Sequence, residues 1–170
     1  MIDSNQNICI HCGFCCDGTL FNHANIKANE PIAPSFVFEI TPGEKRAFKQ
    51  PCPYYRNAIC FIYETRPYSV CESFRCKLLR SVISENVSYT DAIKIINGVI
   101  ALKTKIELQI LEHHPENKGD SIHNKMKEFE AYFAETMNDV EFRKKFGHLL
   151  LDFFIFKKKL SDSFRKTTAK

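Results

Sequence analysis

The second half of the chain has the hydrophobic spacing of amphipathic helices. The first stretch begins at Ser88, which stands at capping-box spacing from Asp91, and it stops at Pro115. A second stretch follows the sequence NKGD, and a third begins after Asn138 or Asp139. Because the joints are short, we predict three helices in a small antiparallel arrangement. The three apolar stripes are Ile93, Ile96, Ile100, Ile106 and Ile110; Ile122, Met126, Phe129, Phe133 and Met137; and Phe142, Phe146, Leu149, Leu150, Phe153 and Leu160.

The first half shows little such periodicity. Only the stretch 35–40, with the sequence SFVFEI, has the composition of a short strand. Six of the seven prolines lie in this half and interrupt any long helix. A segment of this kind has too little periodic apolar surface to fold strongly without a cross-link or a metal. We therefore predict a small α-rich protein: an irregular cysteine-rich metal module over residues 1–80, followed by a helical region over residues 81–170 packed on it.

All eight cysteines lie within the first 76 residues. Two residues separate Cys9 from Cys12 and Cys12 from Cys15, which is the spacing of iron–sulfur ligands, and Cys-x-x-Cys also serves tetrahedral zinc. Cys15 and Cys16 are adjacent, and neighbouring side chains tend to point apart. The pair therefore indicates that the two thiols bind two different metals, that they bind two irons of one cluster, or that one binds the metal and the other lies beside it without binding. The candidate metal ligands are Cys9, Cys12, Cys15, Cys16, Cys52, Cys60, Cys71 and Cys76.

Other uses of clustered thiols fit the sequence less well. The N-terminal sequence MIDSNQNICIH has no secretory pattern, so we expect a cytoplasmic protein whose thiols stay reduced, which disfavours a disulfide framework. A thioredoxin-like redox pair would need a βαβ context, which is not readable here. An iron–sulfur cluster and zinc both remain open. The spacing favours a cluster, whereas the proline that follows the last ligand in bacterial ferredoxins is absent, and two zinc ions in two four-thiolate sites would use all eight cysteines.

The cysteine segments also resemble a known family. The pattern C-x-x-C-x-x-C-C, followed by PC and by C-x-I-Y-E-x-R-P with two later cysteines, is similar to the YkgJ-type cysteine-cluster family, described as a zinc- or iron-chelating domain. A related cysteine motif occurs in flagellin lysine methylases. The matching residues are Cys9, Cys12, Gly13, Cys15, Cys16, Pro51, Cys52, Cys60, Ile62, Tyr63, Glu64, Arg66, Pro67, Cys71, Phe74 and Cys76.

The resemblance implies metal binding through these cysteines and leaves the reaction unassigned. The methylase motif implies a component of a protein- or peptide-modifying system, with a protein or peptide as partner. The alternative is a structural zinc module that presents a helical surface to a protein partner. An open coordination position would favour the first interpretation, and closed four-thiolate sites the second.

The remaining features exclude some classes of function. The net charge of +4 is concentrated in the tail after Phe156, so we expect no nucleic-acid partner. The densest apolar run, LLLDFFIF, is too short to span a bilayer, so we expect no membrane partner. His11 is a candidate second-shell donor or replacement ligand, although a solvent-facing role fits it better. Tyr63, Glu64 and Arg66 are the nearest candidates for acid–base chemistry, with an ion pair that fixes the turn as the favoured interpretation.

Overall fold

The fold was analysed in a computed structural model that describes residues 4–31, 38–41, 45–65 and 67–165. Part of the predicted strand (35–37), Arg66, and the tail residues Lys166 and Lys170 lie outside the described residues. In these ranges the structure has six helices: α1 (Ser4–Cys12), α2 (Ser69–Ser73), α3 (Lys77–Ile83), α4 (Tyr89–His113), α5 (Ile122–Thr136) and α6 (Asp139–Ser163). The protein is small and rich in α-helix, as predicted.

The three long helices begin at residues that cap them. The side chains of Ser88 and Ser121 accept hydrogen bonds from the backbone N–H groups at the starts of α4 and α5. Asn138 accepts two such bonds at the start of α6. Each bond satisfies a donor that the first turn of a helix leaves without an intrahelical partner. α4 ends at His113, two residues before Pro115, so the positions of all three predicted helices are confirmed.

The direction of the helices differs from the prediction for one pair. Two contacts show that α6 runs antiparallel to α4. Lys105 pairs with Asp152, and His113, which follows Lys105 in α4, contacts Phe146, which precedes Asp152 in α6. The aromatic contacts of α5 with α6 follow the same antiparallel order. Between α4 and α5, by contrast, later residues of one helix contact later residues of the other. Lys125 of α5 pairs with Glu107, and Tyr132 stacks on His114, so α4 and α5 run in the same general direction.

The connection between α4 and α5 explains this departure. Residues 114–121 run back along the helices before α5 starts, instead of making a tight turn. Asn117 donates a hydrogen bond to the carbonyl oxygen of Lys125 at 2.9 Å. A Cβ at Gly119 would lie 2.6 Å from the Lys125 Cα, so only glycine allows this segment to lie so close to α5. Spacing along the sequence does not reveal a return of this kind.

The first half contains more regular structure than predicted. β1 (His23–Asn25), β3 (Lys45–Lys49) and β2 (Phe38–Thr41) form an antiparallel sheet in the order β1-β3-β2. β4 (Tyr55–Arg56) and β5 (Ile59–Cys60) form a hairpin in which Tyr55 lies opposite Cys60. Asn57 and Ala58 both have positive φ, of 52° and 61°, as a type I′ hairpin turn requires. β2 overlaps the predicted strand at residues 38–40.

Most buried apolar side chains of the described residues belong to one of two hydrophobic clusters. The larger is built from α3, α4, α5 and α6, and from Ile8, Phe14 and Leu20 near the N-terminus. The smaller lies beside the sheet and contains Ile26, Phe48, Cys52 and Tyr68. The N-terminal segment therefore contributes to the same core as the long helices. Among the described residues, no helix combines the length and the apolar character needed to cross a membrane.

Candidate metal centre

The first cysteine segment is a helix end followed by a tight turn. Cys9 and Cys12 lie one turn apart at the end of α1, where the Gly13 N–H donates to the Cys9 carbonyl at 3.1 Å. Gly13 has a φ of +65°, which lets it terminate the helix in the left-handed conformation. The Cys16 N–H then donates to the Gly13 carbonyl at 2.8 Å. This turn places Cys15 and Cys16 directly beside the end of the helix.

The second cysteine segment is attached to the first through the backbone. The Cys52 N–H donates to the Cys16 carbonyl at 2.8 Å, and the Tyr55 N–H donates to the Cys52 carbonyl at 2.9 Å. Cys60 pairs with Tyr55 across the β4–β5 hairpin. These bonds bring Cys52 and Cys60, which are far from Cys16 in sequence, to its side.

The third segment supplies the last two cysteines from the region of α2 and α3. Cys71 lies in the single turn of α2, where its N–H donates to the Tyr68 carbonyl at 2.9 Å. Cys76 caps α3, and its sulfur accepts a hydrogen bond from the Leu79 N–H at 3.4 Å. Cys71 lies near Cys16, and Cys76 lies near Cys15, so the structure gathers thiols from three segments in one region. No disulfide joins any of the eight cysteines.

Packing divides these thiols between the two hydrophobic clusters. Cys12, Cys15 and Cys76 pack against the larger core of the long helices. Cys52 belongs to the smaller cluster, and Cys16 packs against that cluster. The adjacent Cys15 and Cys16 thus point to different clusters, as neighbouring side chains of an open turn do.

The electrostatic environment of the thiols shows the same division. Burial raises the pKa of Cys12 above its ordinary value, and the negative charges of Cys76, Cys9 and Asp17 add to this, against a lowering by the Phe14 N–H. Burial likewise raises the pKa of Cys15, followed by the charges of Cys12, Cys76, Cys16 and Cys9.

Cys16 has a different set of neighbours. Burial is again the largest cause of its raised pKa, followed by the charges of Cys60, Cys52 and Cys71, and then Asp17. We call Cys9, Cys12, Cys15 and Cys76 the core-side thiols, and Cys16, Cys52, Cys60 and Cys71 the hairpin-side thiols. Each set has one exposed member, Cys9 and Cys71 respectively, while the others are half-buried or buried.

Tyr55 lies against the cysteine turn. A Cβ at Gly13 would overlap the Tyr55 hydroxyl oxygen and lie 2.5 Å from Cζ, so the phenol rests against the turn that follows Cys12. Burial raises the pKa of Tyr55 to about 12, with further contributions from the charges of Asp17, Cys16, Cys12 and Cys60. Gly13 is therefore required both for its φ and for the space that the phenol occupies.

Asp17 anchors the cysteine turn to the long helices. Its carboxylate accepts a hydrogen bond from the Thr19 N–H at 2.8 Å and pairs with Lys103 of α4 at 2.7 Å. Sequence reasoning missed Asp17, Lys103 and Tyr55. The only signal for Asp17 is its position directly after Cys16, and Lys103 stands 86 residues away with no local signal at all.

The polar candidates predicted from the sequence are placed apart from the thiols or at their edge. His11 Nε2 lies 2.7 Å from the side-chain oxygen of Asn97, so this ring links α1 to α4. The Tyr63 N–H donates to the Cys60 carbonyl at 3.3 Å, which places Tyr63 next to the hairpin-side thiols. Glu64 is exposed. The predicted pairing of Glu64 with Arg66 falls on a residue outside the described ranges.

Within the described ranges, no three His, Cys, Asp or Glu side chains form an arrangement that could hold one metal ion. The thiols in each set are close enough to influence one another's ionisation, but they do not converge on one point. As donors they fit a thiophilic metal, because thiolate sulfur suits zinc and iron–sulfur clusters. The raised pKa values of Cys12, Cys15 and Cys16 also mean that these thiols carry protons at neutral pH, which a metal must displace.

Comparison with known proteins gives no assignment. No family model matches the chain, and no curated protein or solved structure matches it significantly.

Proposed function

We propose that this chain is a metal-binding protein that holds an iron–sulfur cluster or zinc through its clustered cysteines. The observation that carries the proposal is the gathering of thiols from three separate segments around the turn at Cys15 and Cys16. A hydrogen bond from the Cys52 N–H to the Cys16 carbonyl joins two of these segments, and eight thiols are far more than packing of small apolar side chains requires. The resemblance of residues 9–76 to the YkgJ-type family supports the same function.

The proposal requires the thiols to lose protons and to change rotamers. Neutral thiols have no common ion to converge on, so their sulfurs adopt the positions that packing prefers. When a metal binds, the attraction between thiolate and cation offsets the burial and like-charge effects that raise their pKa. Rotation about χ1 moves a cysteine sulfur without moving the backbone. The proposal therefore requires such rotations to bring the sulfurs together, because no three of these side chains are placed to hold an ion in the described structure.

In a cell, we propose that the protein acts in the cytoplasm as a component of a protein- or peptide-modifying system, without nucleic acid or a membrane as partner. In that role the partner would be a protein or peptide, as the resemblance to the methylase motif implies. No residue is assigned a catalytic role.

One observation favours the alternative, a structural zinc module that presents a helical surface. Large apolar side chains are exposed on α4 and α6: Leu108 is 62% exposed, Leu111 56%, Leu151 54% and Phe154 64%. The sequence positions of Leu108 and Leu111 turn them away from the buried stripe of α4 that contains Ile106 and Ile110. A protein partner would cover such side chains.

Purification without oxygen, after expression with ample iron and zinc, tests the proposal. An iron–sulfur cluster gives a brown protein with broad visible absorption that bleaches on reduction, whereas zinc gives no colour. In both cases, complete chelation should make the stretch 9–76 sensitive to protease, since the binding energy of a structural thiolate site is of the order of 10 kcal/mol. Helical circular dichroism from α4, α5 and α6 should persist in large part. The proposal is contradicted if the purified protein is folded, contains no metal, and gives the same protease digestion pattern with and without chelators.

A further inference from the structure

We infer that α6 pairs in antiparallel orientation with the α6 of a second copy of this chain, and that the two copies form a reversible dimer. The surface concerned is the outward side of the helix. The inference goes beyond the proposed function, because it involves neither a metal nor the cysteines. We call this surface the outer stripe, and it consists of Val140, Lys144, Gly147, Leu151, Phe154 and Lys158.

Helix geometry places the outer stripe opposite the buried side of α6. Its six residues follow one another at alternating intervals of four and three positions, so they share one face of the helix. All six are exposed, although Val140, Leu151 and Phe154 are large apolar residues. An apolar stripe that is open to water is typical of an interaction surface. The buried residues on the other side are Phe146, Leu149, Phe153, Phe156 and Leu160.

The glycine in the outer stripe provides the first argument for a second copy. The alternating intervals read the same in both directions, so a two-fold axis between antiparallel helices places Gly147 of each copy opposite Leu151 of the other. Apart from the nearby backbone of α6, no described atom lies within 4 Å of the position that a Gly147 Cβ would occupy. Glycine weakens a helix interior, and nothing within the described chain requires it here. The opposed leucine fills this open space.

The other opposed pairs are also favourable. Lys144 lies opposite Phe154, and an ammonium group over an aromatic ring is attractive. Val140 lies opposite Lys158, whose aliphatic stem covers apolar surface while its charged end reaches water. Along the outer stripe itself, no two like charges are therefore opposed.

The charges beside the stripe provide the argument for the antiparallel direction. Asp139 and Glu141 are exposed at the start of α6, and Lys157 and Lys159 are exposed near its end. In an antiparallel pair, Asp139 approaches Lys157 of the second copy, and Glu141 approaches Lys159. A parallel pair would instead place acid beside acid and base beside base. Asp139 pairs with Arg143 at 3.7 Å, but both side chains are largely exposed, so Asp139 stays accessible to a second copy.

Analytical ultracentrifugation of the full chain, as purified, tests the inference. A phosphine reductant prevents disulfides between copies, and the protein concentration is varied from about 1 to about 300 µM. We expect a reversible equilibrium between monomer and dimer in this range. A chain that stays monomeric throughout overturns the inference and leaves the outer stripe to a different protein or to a bilayer.

Two glycine substitutions give matched variants. Gly147→Leu fills the space that Leu151 of the second copy needs, so the dissociation constant should rise by at least about tenfold. Gly98→Leu is the control, because Gly98 is also an exposed helical glycine with open space around it, but it lies on α4. Both substitutions favour the helix, so both monomers should fold. Equal effects of the two variants, or a dimer that Gly147→Leu does not weaken, contradict the inference.

Reversal of charge tests the antiparallel direction. The double variants Asp139→Lys with Glu141→Lys, and Lys157→Glu with Lys159→Glu, should each dimerise at least about tenfold more weakly than the unaltered chain. An equimolar mixture of the two should recover the dimer, because every acidic end then lies beside a basic end. Helical circular dichroism verifies that each variant folds. A mixture of folded variants that does not recover the dimer contradicts the antiparallel pairing.

Photo-crosslinking decides the direction if a charge variant does not fold. A photoreactive phenylalanine analogue replaces Phe154, which is exposed and makes little contribution to the core. In the antiparallel dimer it should attach to the second copy near Lys144, as mass spectrometry of the digested product would show. Attachment near position 154 of the second copy, or outside α6, overturns the inference.

Discussion

Replacement of Lys103 by methionine removes the cation that anchors the cysteine turn to α4. Lys103 Nζ and Asp17 Oδ2 lie 2.7 Å apart, and their side chains are only 18% and 20% exposed. Methionine keeps most of the aliphatic stem, so the substitution removes mainly charge. The Asp17 carboxylate would be left largely covered from water, with the Thr19 N–H as its remaining partner at 2.8 Å.

The magnitude follows from the exposure of the pair. A hydrogen bond to a charged group contributes about 1.5–3 kcal/mol, and breaking a fully buried ion pair costs about 3–5 kcal/mol. Because this pair keeps some contact with water and Asp17 keeps one donor, we expect a loss of about 2 kcal/mol. The matched control on the same helix is Lys94→Met. Lys94 pairs with Asp91 at 3.1 Å, but the two side chains are 73% and 59% exposed, so the loss should be much smaller than for Lys103→Met.

Urea unfolding at fixed metal concentration, followed by helical circular dichroism, measures both losses. With a slope of about 1–3 kcal/mol per molar urea, Lys103→Met should lower the midpoint by about 1 M, while Lys94→Met should barely change it. A double-mutant cycle with Asp17→Asn should assign most of the loss to the Lys103–Asp17 pair. If Lys103→Met destabilises the protein no more than Lys94→Met does, the pair does not anchor the turn and the reasoning is refuted.

Three further predictions concern the turn, the core and one histidine. Gly13→Ala should lower the unfolding free energy by more than about 2 kcal/mol, because alanine is strained at positive φ and its Cβ meets the Tyr55 phenol. Adding Tyr55→Ala should recover part of this loss. If Gly13→Ala causes no loss of stability, the described turn is contradicted. Phe156→Ala should lower the unfolding free energy by about 3–5 kcal/mol, because Phe156 is 0% exposed. The matched Phe154→Ala should lower it by less than about 0.5 kcal/mol, because Phe154 is 64% exposed. Equal losses in urea unfolding would refute this packing of α6. Burial lowers the pKa of His123 below its ordinary 6.5, so the unfolded chain binds more protons than the folded chain. The urea midpoint should therefore fall as pH drops through and below 6.5, and His123→Gln should flatten this dependence on pH. An unchanged dependence in His123→Gln would show that His123 does not cause it.

The sequence predicts the long helices well because local signals determine them. Ser88 and Asn138 cap their helices through side-chain bonds to nearby N–H groups, and the isoleucine and phenylalanine stripes repeat at helical spacing. The segment that joins α4 to α5 returns along the helices, and Gly119 in that segment lies so close to the Lys125 backbone that a Cβ would not fit. Such a contact forms only after the chain has folded back. Periodicity therefore gives the helices but not their relative direction.

The candidate site shows the same limit. The spacing of Cys9, Cys12 and Cys15 identifies the first thiols from the sequence alone. The grouping of Cys76 with these residues depends on its packing against the long-helix core, and no spacing encodes that contact. Lys103 belongs to the site only because α4 packs beside the cysteine turn. The sequence does not reveal the β4–β5 hairpin, because each of these strands is only two residues long.

X-ray absorption at the metal edge of the anaerobically purified full chain tests the central claim most directly. The account predicts a metal in near-stoichiometric amount whose nearest neighbours are sulfur atoms only. For zinc these should be about four sulfurs at about 2.3 Å, and for iron the sulfur shell should be followed by a short metal–metal distance. Loading the same protein after all thiols have been alkylated provides the control, which should bind no metal. A nearest shell made of nitrogen or oxygen, or a folded protein that holds no metal, would contradict the account.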